Sequence, residues 1–465
     1  MNSLIKKAIN FNKSVQEKVI KINKNIKEQV MRFNKKIKIN FEGGEISSDT
    51  GMVIYKEFDE QIGFSKTIKE NLEVEDDSAD SRIHKNEDIM IQRIYQKLAG
   101  YNTDDASDDL RYDPTFTKIL NKEGLASQPT ISRYNSRVTK KTIKSCQKIN
   151  EKLQDKIYQI EKPKHFIFDL DSTNCETYGE QYGSDYNSHY GSNGYHPLML
   201  FEGITGDFLK AELRSGDVYT SRNVVRFMGP ILKKYNKEYP ETVRVIRGDS
   251  GFAVPELYEL AEEHDTLYII RLKENPKLFE KATEYAMELS ELCKIDKTGA
   301  HVVYGEFKYK ATSWEIERKV AVKIERPAGE ETIYKYTFIV NNMTLRPKET
   351  IELYFNRGSM ENYIKECKKD LGIDIMSSTE YIANAAKLQE GVLAYNLNNW
   401  LRRTCLKGTE METMRVETLR TKIMKIGSRV VRGARYITFK MSSSYPYKET
   451  FWEIMNKINK IVITA

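Results

Sequence analysis

The stretch HFIFDLDST at 165–173 decides the fold, because a run of apolar residues ends there in two acids. A short apolar run bounded by turn-forming residues predicts a buried strand. Side chains alternate between the two faces of a strand, so the carboxylates of Asp169 and Asp171 point to the same side. Either acid can supply the first carboxylate of a site at this end of the strand.

A further acid follows the same pattern later in the chain. The stretch VRVIRGDSG at 243–251 predicts a strand that ends at Asp249, where Gly248 and Gly251 leave the backbone uncrowded. Acids at the carboxyl ends of neighbouring strands converge, and convergent carboxylates repel one another unless a cation lies between them. Mg²⁺, a hard ion that prefers oxygen ligands, suits such a position.

The segments around these acids alternate between strand and helix patterns. The predicted elements are two strands within 196–214, a helix at 220–235, a helix at 254–264 and a strand at 266–272. This order predicts an α/β domain with a mixed sheet. Residues 299–341 have the alternation of strands, so we interpret this stretch as an all-β insertion within that domain.

A third acid lies in YFNRGSMENYIKECK at 354–368. In one nearly continuous helix, four of its side chains share a face: Tyr354, Arg357, Glu361 and Lys368. A carboxylate flanked by such cations suits a metal site beside a phosphodiester, because the acid holds the ion and the cations hold the phosphate. The alternative is a surface helix with an Arg–Glu pair, and Gly358 weakens the helix prediction.

The two ends of the chain are basic. Residues 1–40 carry eleven Lys or Arg against two Glu, and residues 402–440 carry eleven against three acids. Apolar residues recur near the helical period in the first segment, which predicts a basic amphipathic helix at 1–40, docked on the protein itself or on a second copy. Alternation at 37–41 also predicts a short strand. The basic ends indicate either a polyanionic partner or a solvated surface.

Residues 41–160 are predicted to be mainly helical. SQPTISRYNSR at 127–137 places a capping Ser and a Pro before a helix that carries Arg133 and Arg137. Such a helix is either the recognition helix of a helix-turn-helix or a plain element of a helical bundle. In the basic C-terminal region, 406–465, and just before it, we interpret five arginines as contacts to phosphates or as solvated surface: Arg402, Arg403, Arg429, Arg432 and Arg435.

Other residue types narrow the class of protein. The five cysteines lie far apart without a Cys-x-x-Cys pair, which predicts neither disulfides nor a zinc site. No apolar run approaches about 20 residues and no secretory signal is apparent, so we expect a cytoplasmic protein without a membrane partner. His165, His189 and His196 are interpreted as structural. Trp314 either packs in the interior or stacks on an unpaired base.

Four motifs together resemble the DDE transposases of bacterial insertion sequences, in their group-1 DDE-domain branch. These are DLDST at 169–173, GYHPLMLF at 194–201, RGDSGF at 247–252, and Tyr354-x₂-Arg357-x₃-Glu361-x₆-Lys368. The likeness runs from about residue 40 to the C-terminus. It implies a ribonuclease-H-like catalytic domain formed by 161–272 and 346–405, interrupted by the β-rich insertion at 273–345. It also implies that 41–160 is an α-helical region that binds DNA ends.

The resemblance also implies roles for individual residues. Asp171, Asp249 and Glu361 would be the catalytic ligands of two Mg²⁺ ions, for which Mn²⁺ can substitute, with Asp169 as the competitor for the first position. Tyr354, Arg357 and Lys368, which match the family signature, would bind phosphates near the transposon end. Apart from the resemblance, we expect further DNA contacts at Lys365, Arg133, Arg137, Arg429 and Arg432.

Three functions follow from these expectations. The first is a transposase that binds double-stranded terminal inverted repeats as a homodimer, cuts them, and joins them to target DNA. The second is a DNA-binding protein or repressor that has lost catalysis, against which the presence of all three acids argues. The third is a ribonuclease-H-like nuclease that cuts without strand transfer.

Overall fold

A computed structural model describes residues 28–78, 81–329 and 333–463 of the chain. Its strands, in chain order, are β1 (Glu28–Val30), β2 (Lys38–Asn40), β3 (Ile46–Ser47), β4 (His165–Ser172), β5 (Cys175–Glu176), β6 (Asp185–Asn187), β7 (Ser192–Tyr195), β8 (Leu198–Glu202), β9 (Phe208–Glu212), β10 (Val243–Gly248), β11 (Leu267–Leu272), β12 (His301–Tyr309), β13 (Arg318–Arg326), β14 (Lys335–Asn341), β15 (Ser428–Arg432) and β16 (Ile437–Met441).

Helices precede the main sheet, cover it and follow it. In chain order they are α1 (Met52–Ile62), α2 (Phe64–Asn71), α3 (Asn86–Ala99), α4 (Ala106–Asp109), α5 (Pro114–Ile119), α6 (Gln128–Asn135), α7 (Lys140–Ile160), α8 (Val224–Glu238), α9 (Pro255–Glu263), α10 (Pro276–Lys281), α11 (Thr283–Ile295), α12 (Pro347–Phe355), α13 (Gly358–Leu371), α14 (Tyr381–Leu401), α15 (Val416–Leu419) and α16 (Lys448–Ile458). None of these described helices has the length and apolar composition that a bilayer crossing requires.

The main sheet has eight strands in the order β12-β13-β14-β11-β10-β4-β8-β9. β4, β10 and β11 are parallel, and their crossovers contain α8 and α9. The strands on either side are antiparallel to their neighbours. The predicted α/β class with a mixed sheet is confirmed.

Alternation along the central strands gives the two faces of the sheet different chemistry. Phe168 and Leu170 of β4 point into an apolar core beneath α8 and α9, together with Ile246 of β10. The intervening Asp169 and Asp171 therefore point to the opposite face. On that face β4 carries two acids, whereas β10 carries Val245 and Arg247 before Asp249 follows its end.

The acid-bearing face is covered from two sides. Over β8 and β9 lies the larger core, which includes the almost fully buried α14 and its contacts with α3 and α7. Over β11 and β14 lies a smaller core formed with α12 through Ile351 and Tyr354. The carboxyl ends of β4 and β10 lie between these two covers, so their acids face a gap.

The N-terminal prediction is wrong for the part that the structure describes. Residues 28–40 form an antiparallel pair of strands, with Gln29 opposite Ile39, in place of the end of a long helix. The predicted short strand is present as β2. The remainder of the predicted helix, residues 1–27, lies outside the described residues.

The insertion at 273–345 contains both helices and strands. The helices α10 and α11 come first, and β12, β13 and β14 lie within the predicted strand stretch 299–341. Its three strands extend the main sheet, because β14 pairs directly with β11, with Phe338 opposite Leu272. Strand alternation predicted the elements but carried no information about which sheet they join.

Candidate active site

Strand register brings the first two acids together. In the parallel pair of β4 and β10, Arg247 lies opposite Asp169 and Gly248 lies opposite Leu170. The next residue on each strand is Asp171 and Asp249, so these carboxylates emerge side by side at the carboxyl edge. The Asp249 carboxylate accepts a hydrogen bond of 2.9 Å from the amide of Gly251, which fixes the turn after β10.

The third acid lies just after a short interruption in the predicted helix. α12 ends at Phe355 and α13 begins at Gly358, and the intervening Asn356 and Arg357 keep right-handed helical backbone angles. The segment is therefore nearly continuous helix, as predicted, with a short break before Glu361. Glu361 lies in the first turn of α13, where it is exposed. The break lets Arg357 turn toward the sheet while Glu361 stays at the surface of the gap.

An open groove connects the three acids. One part, about 610 Å³ in volume, is lined by Asp171 and Glu361 together with Lys365 and Lys368. A second part, about 670 Å³, is lined by Asp171 and Asp249. Because Asp171 lines both parts, it lies where they meet.

Burial opposes the ionisation of Asp171, and the charges around it act in both directions. The pKa of Asp171 is raised to about 6, chiefly by burial; the Arg357 guanidinium lowers it, and the nearby carboxylates of Asp249 and Glu361 raise it further. Arg357 places Nη2 at 2.8 Å from Oδ2 of Asp171 and also donates to the carbonyl of Leu170. Arg357 is thus the local counter-charge for an acidic site.

The donor set suits a hard divalent cation, although the side chains are spread. Asp171, Asp249 and Glu361 offer only carboxylate oxygens, the ligands that Mg²⁺ prefers. Within the described ranges, no group of three or more His, Cys, Asp or Glu side chains is gathered closely enough to hold a metal ion. The guanidinium of Arg357 lies against Asp171 in this arrangement.

Asp169, the competitor for the first position, has a different environment. It is fully buried, and its two oxygens accept from Nε and Nη2 of Arg247 at 2.5 and 2.6 Å. Arg247 also donates to the carbonyl of Leu353 in α12. This ion pair ties β4, β10 and α12 together beneath the groove. The sequence places Arg247 two residues before Asp249, but nothing in the motif indicated its partner.

The residues expected to contact DNA are divided between surface and interior. Lys365 is exposed beside the groove, and Arg133 is exposed on α6. Tyr354 is buried in the core beneath α12. Lys368 donates to the carbonyl of Asn174 at 2.7 Å, and Arg137 donates to Asn86.

The C-terminal arginines are divided in the same way. Arg402 donates to the buried Glu366, and Arg403 donates to the buried Asp207, so both guanidinium groups are partly buried in ion pairs. Arg429, Arg432 and Arg435 are exposed in or near the strand pair β15 and β16, with Arg432 paired to Glu45.

The aromatic, histidine and cysteine candidates also have defined places. Trp314 is buried and packs edge-on against Tyr258 and Tyr309, which excludes it from stacking on a base. His196 is buried, with Nδ1 at 2.9 Å from the carbonyl of Val218, whereas His165 and His189 are exposed. The five cysteines are all buried and unbonded.

The fold and the groove define a class of protein. A mixed sheet that presents acids at the ends of adjacent parallel strands, with a further acid and cations on a following helix, suits phosphodiester chemistry. The family model "Transposase DDE domain group 1" matches residues 29–463, and the chain therefore belongs to this family of transposases.

A similar solved structure is the piggyBac transposase synaptic complex with hairpin DNA, determined by cryo-EM. It is 13% identical, with a TM-score of 0.40, over 89% of this chain and 82% of that chain. Among curated proteins, none matches this chain.

Proposed function

We propose that this protein is an active DNA transposase of a bacterial insertion sequence, which binds the terminal repeats and catalyses Mg²⁺-dependent strand cleavage and strand transfer. The observation that carries the proposal is the position of Asp171, beside Asp249 in the register and in one groove with Glu361. Asp171, Asp249 and Glu361 belong to the family motifs and also line this groove. The strand order, with β4, β8 and β9 antiparallel and β10 and β11 parallel to β4, supports a ribonuclease-H-like domain.

Asp171, Asp249 and Glu361 would hold the metal ions, and Arg357 and Lys365 would hold phosphates. Bound Mg²⁺, or Mn²⁺ in its place, supplies the positive charge that activates the attacking water or 3′-hydroxyl and stabilises the leaving oxygen. Arg357 leaves Asp171 for a phosphate oxygen when DNA enters, because its guanidinium can form paired hydrogen bonds with phosphate. Its departure frees the Asp171 carboxylate to act as a ligand.

The partner is double-stranded DNA, first at the two ends of the element and then at the target. Cations exposed away from the groove, such as Arg133 on α6 and Arg429 on β15, would contact backbone phosphates. Joining both ends to one target requires that they be held together, so we propose that a homodimer forms on DNA. Coupling of cleavage to joining distinguishes this proposal from a nuclease without strand transfer.

The test compares wild type with Glu361→Gln on DNA that carries the terminal repeats, in the presence of Mg²⁺. We expect the wild type to cut and join the ends and the variant to bind them without cutting. Glu352→Gln, which changes an exposed acid on the neighbouring α12, is the matched control and should retain cleavage. Cleavage by Glu361→Gln would contradict the metal assignment. End binding without cleavage by the wild type would favour the repressor, and cleavage without joining would favour the nuclease.

A further inference from the structure

Three exposed tyrosines surround the Asp249 side of the groove. Tyr186, Tyr190 and Tyr219 are 56%, 42% and 64% exposed, and all three line the part of the groove that contains Asp171 and Asp249. Exposed aromatic rings concentrated around one groove indicate a ligand with flat apolar surface.

The turn that carries Tyr190 is held in place by a buried side chain. Asn187 ends β6, and its Oδ1 accepts from the amides of His189 and Tyr190 at 3.0 and 3.3 Å. Its Nδ2 donates to the carbonyl of Gly216 at 2.7 Å. The amide of Gly191, at a φ of +69°, donates back to the carbonyl of Asn187. The backbone of the turn that carries Tyr190 is therefore fixed before any ligand binds.

The opposite wall, which carries Tyr219, is held by buried polar groups as well. Arg214 donates to the carbonyls of His196 and Thr220 at 3.0 and 2.9 Å. His196 in turn lies at 2.9 Å from the carbonyl of Val218. A site built on such fixed walls loses little conformational entropy when it binds a ligand.

We propose that Tyr190, together with Tyr186 and Tyr219, forms a stacking site for an unpaired base of the bound DNA. This deepens the proposed function and rests on it, because it takes DNA as the ligand. Bases within a duplex already stack on each other, so a base must leave the helix before a phenol ring can stack on it. The site would hold a nucleotide next to the phosphate that is cut.

Before metal ions bind, the charges in this part of the groove favour a base over a phosphate. Among the described residues that line it, the acids Asp171, Asp217 and Asp249 face the cationic side chain of Lys273. A neutral ring avoids the repulsion that a phosphate would meet at these acids. Tyr190 also lines the part of the groove beside Glu361, so a base stacked on it lies next to all three acids.

The test measures the affinity of the full chain for two fluorescent duplexes without Mg²⁺, so that no cutting occurs. One duplex carries a short single-stranded overhang, and the other is the same duplex fully paired. We expect wild type to bind the duplex with the overhang more tightly than the paired one. In Tyr190→Ala the ratio of the two affinities should fall by about tenfold, because one stacked base is lost. Tyr190→Phe keeps the ring and should retain the preference, whereas Tyr190→Leu should lose it.

Tyr178→Ala is the matched control, because Tyr178 is 82% exposed after β5 but does not line this groove. Tyr219→Ala should also weaken the preference, and thermal unfolding of each variant shows whether it is folded. A preference that survives in folded Tyr190→Ala within about twofold, or that is absent in wild type, overturns the inference. A protein that prefers the overhang but does not cut terminal repeats refutes the proposed function alone. Cutting without the preference refutes the stacking site alone.

Discussion

Arg357 and Asp171 form an ion pair at the junction of the groove, with 2.8 Å between Nη2 and Oδ2. The pair joins the N-cap of α13 to the end of β4 and neutralises the acid that both parts of the groove share. A cation that binds Asp171 must compete with this guanidinium. The DNA-free protein is therefore expected to bind divalent metal weakly.

Removal of the guanidinium should strengthen metal binding in the absence of DNA. In Arg357→Ala, no guanidinium offsets the repulsion among the carboxylates of Asp171, Asp249 and Glu361. A bound cation then relieves that repulsion, so the affinity for Mn²⁺ should rise on the order of tenfold. Calorimetric titration well above the pKa of Asp171 measures this change. Arg346→Ala removes an exposed arginine paired with Glu349 and should leave the affinity unchanged. Unchanged or weaker Mn²⁺ binding in Arg357→Ala would exclude this competition.

Substitution by Asn should mainly reduce stability at Asp169 and mainly reduce metal binding at Asp171. Asp169→Asn leaves Arg247 buried without its charged partner, so the free energy of unfolding should fall by about 3–5 kcal/mol. Asp171→Asn should abolish Mn²⁺ binding with a smaller loss of stability, because the Arg357–Asp171 pair is less completely buried and lies beside the open groove. Denaturant unfolding and calorimetry of both variants provide the comparison. A stable Asp169→Asn variant that fails to bind Mn²⁺ would restore Asp169 as a ligand.

The buried Lys97 gives the protein a pH-dependent stability. Burial lowers the pKa of Lys97 to about 8, with Arg93 and Lys387 adding to the effect and Glu390 and Asp104 opposing it. Between about 8 and the ordinary lysine pKa the unfolded chain binds more protons, so stability should rise with pH across that window. Lys97→Met removes a buried positive charge and leaves Arg93 and Lys387 to balance Glu390 and Asp104. The variant should therefore be more stable than wild type by up to about 3 kcal/mol near pH 7.

Thermal unfolding of wild type and Lys97→Met from neutral pH to about pH 10 follows this effect. The difference in stability between the two proteins should shrink as pH rises above the folded-state pKa of Lys97. A difference that stays constant across this range would show that Lys97 does not titrate there.

Lys365 should contribute to DNA binding through charge alone. It is exposed beside Glu361, where a phosphate can displace water from its ammonium group. Lys365→Ala should weaken binding to any DNA sequence and reduce the slope of log affinity against log salt by about 0.9. Lys348→Ala, on the far side of the helix break, is the control. An unchanged slope in Lys365→Ala would place the DNA path elsewhere.

Local patterns predicted the strands that carry the acids. The apolar runs that end at Asp171 and Asp249 form β4 and β10, because burial on one face and an acid at the strand end are both properties of a few adjacent residues. The motif with Glu361 was recognised by spacing, although the helix that carries it is interrupted.

Contacts between distant segments could not be predicted from such patterns. The pairing of Asp169 with Arg247 joins two strands, and Arg403 reaches Asp207 across 196 positions of the chain. Periodicity alone also failed for residues 28–40, where apolar residues at helical spacing lie in paired strands. Whether a charged or aromatic side chain such as Trp314 is exposed depends on these contacts, which a linear pattern does not contain.

The most direct test of the metal assignment is the anomalous X-ray scattering of crystals of the full chain grown with Mn²⁺ and DNA ends. We expect two Mn²⁺ peaks about 3.5–4 Å apart, bounded by the carboxylates of Asp171, Asp249 and Glu361, with Arg357 moved to a phosphate. Ordered DNA in the groove with no peak at these three acids, or with a peak that omits Glu361, would contradict the account.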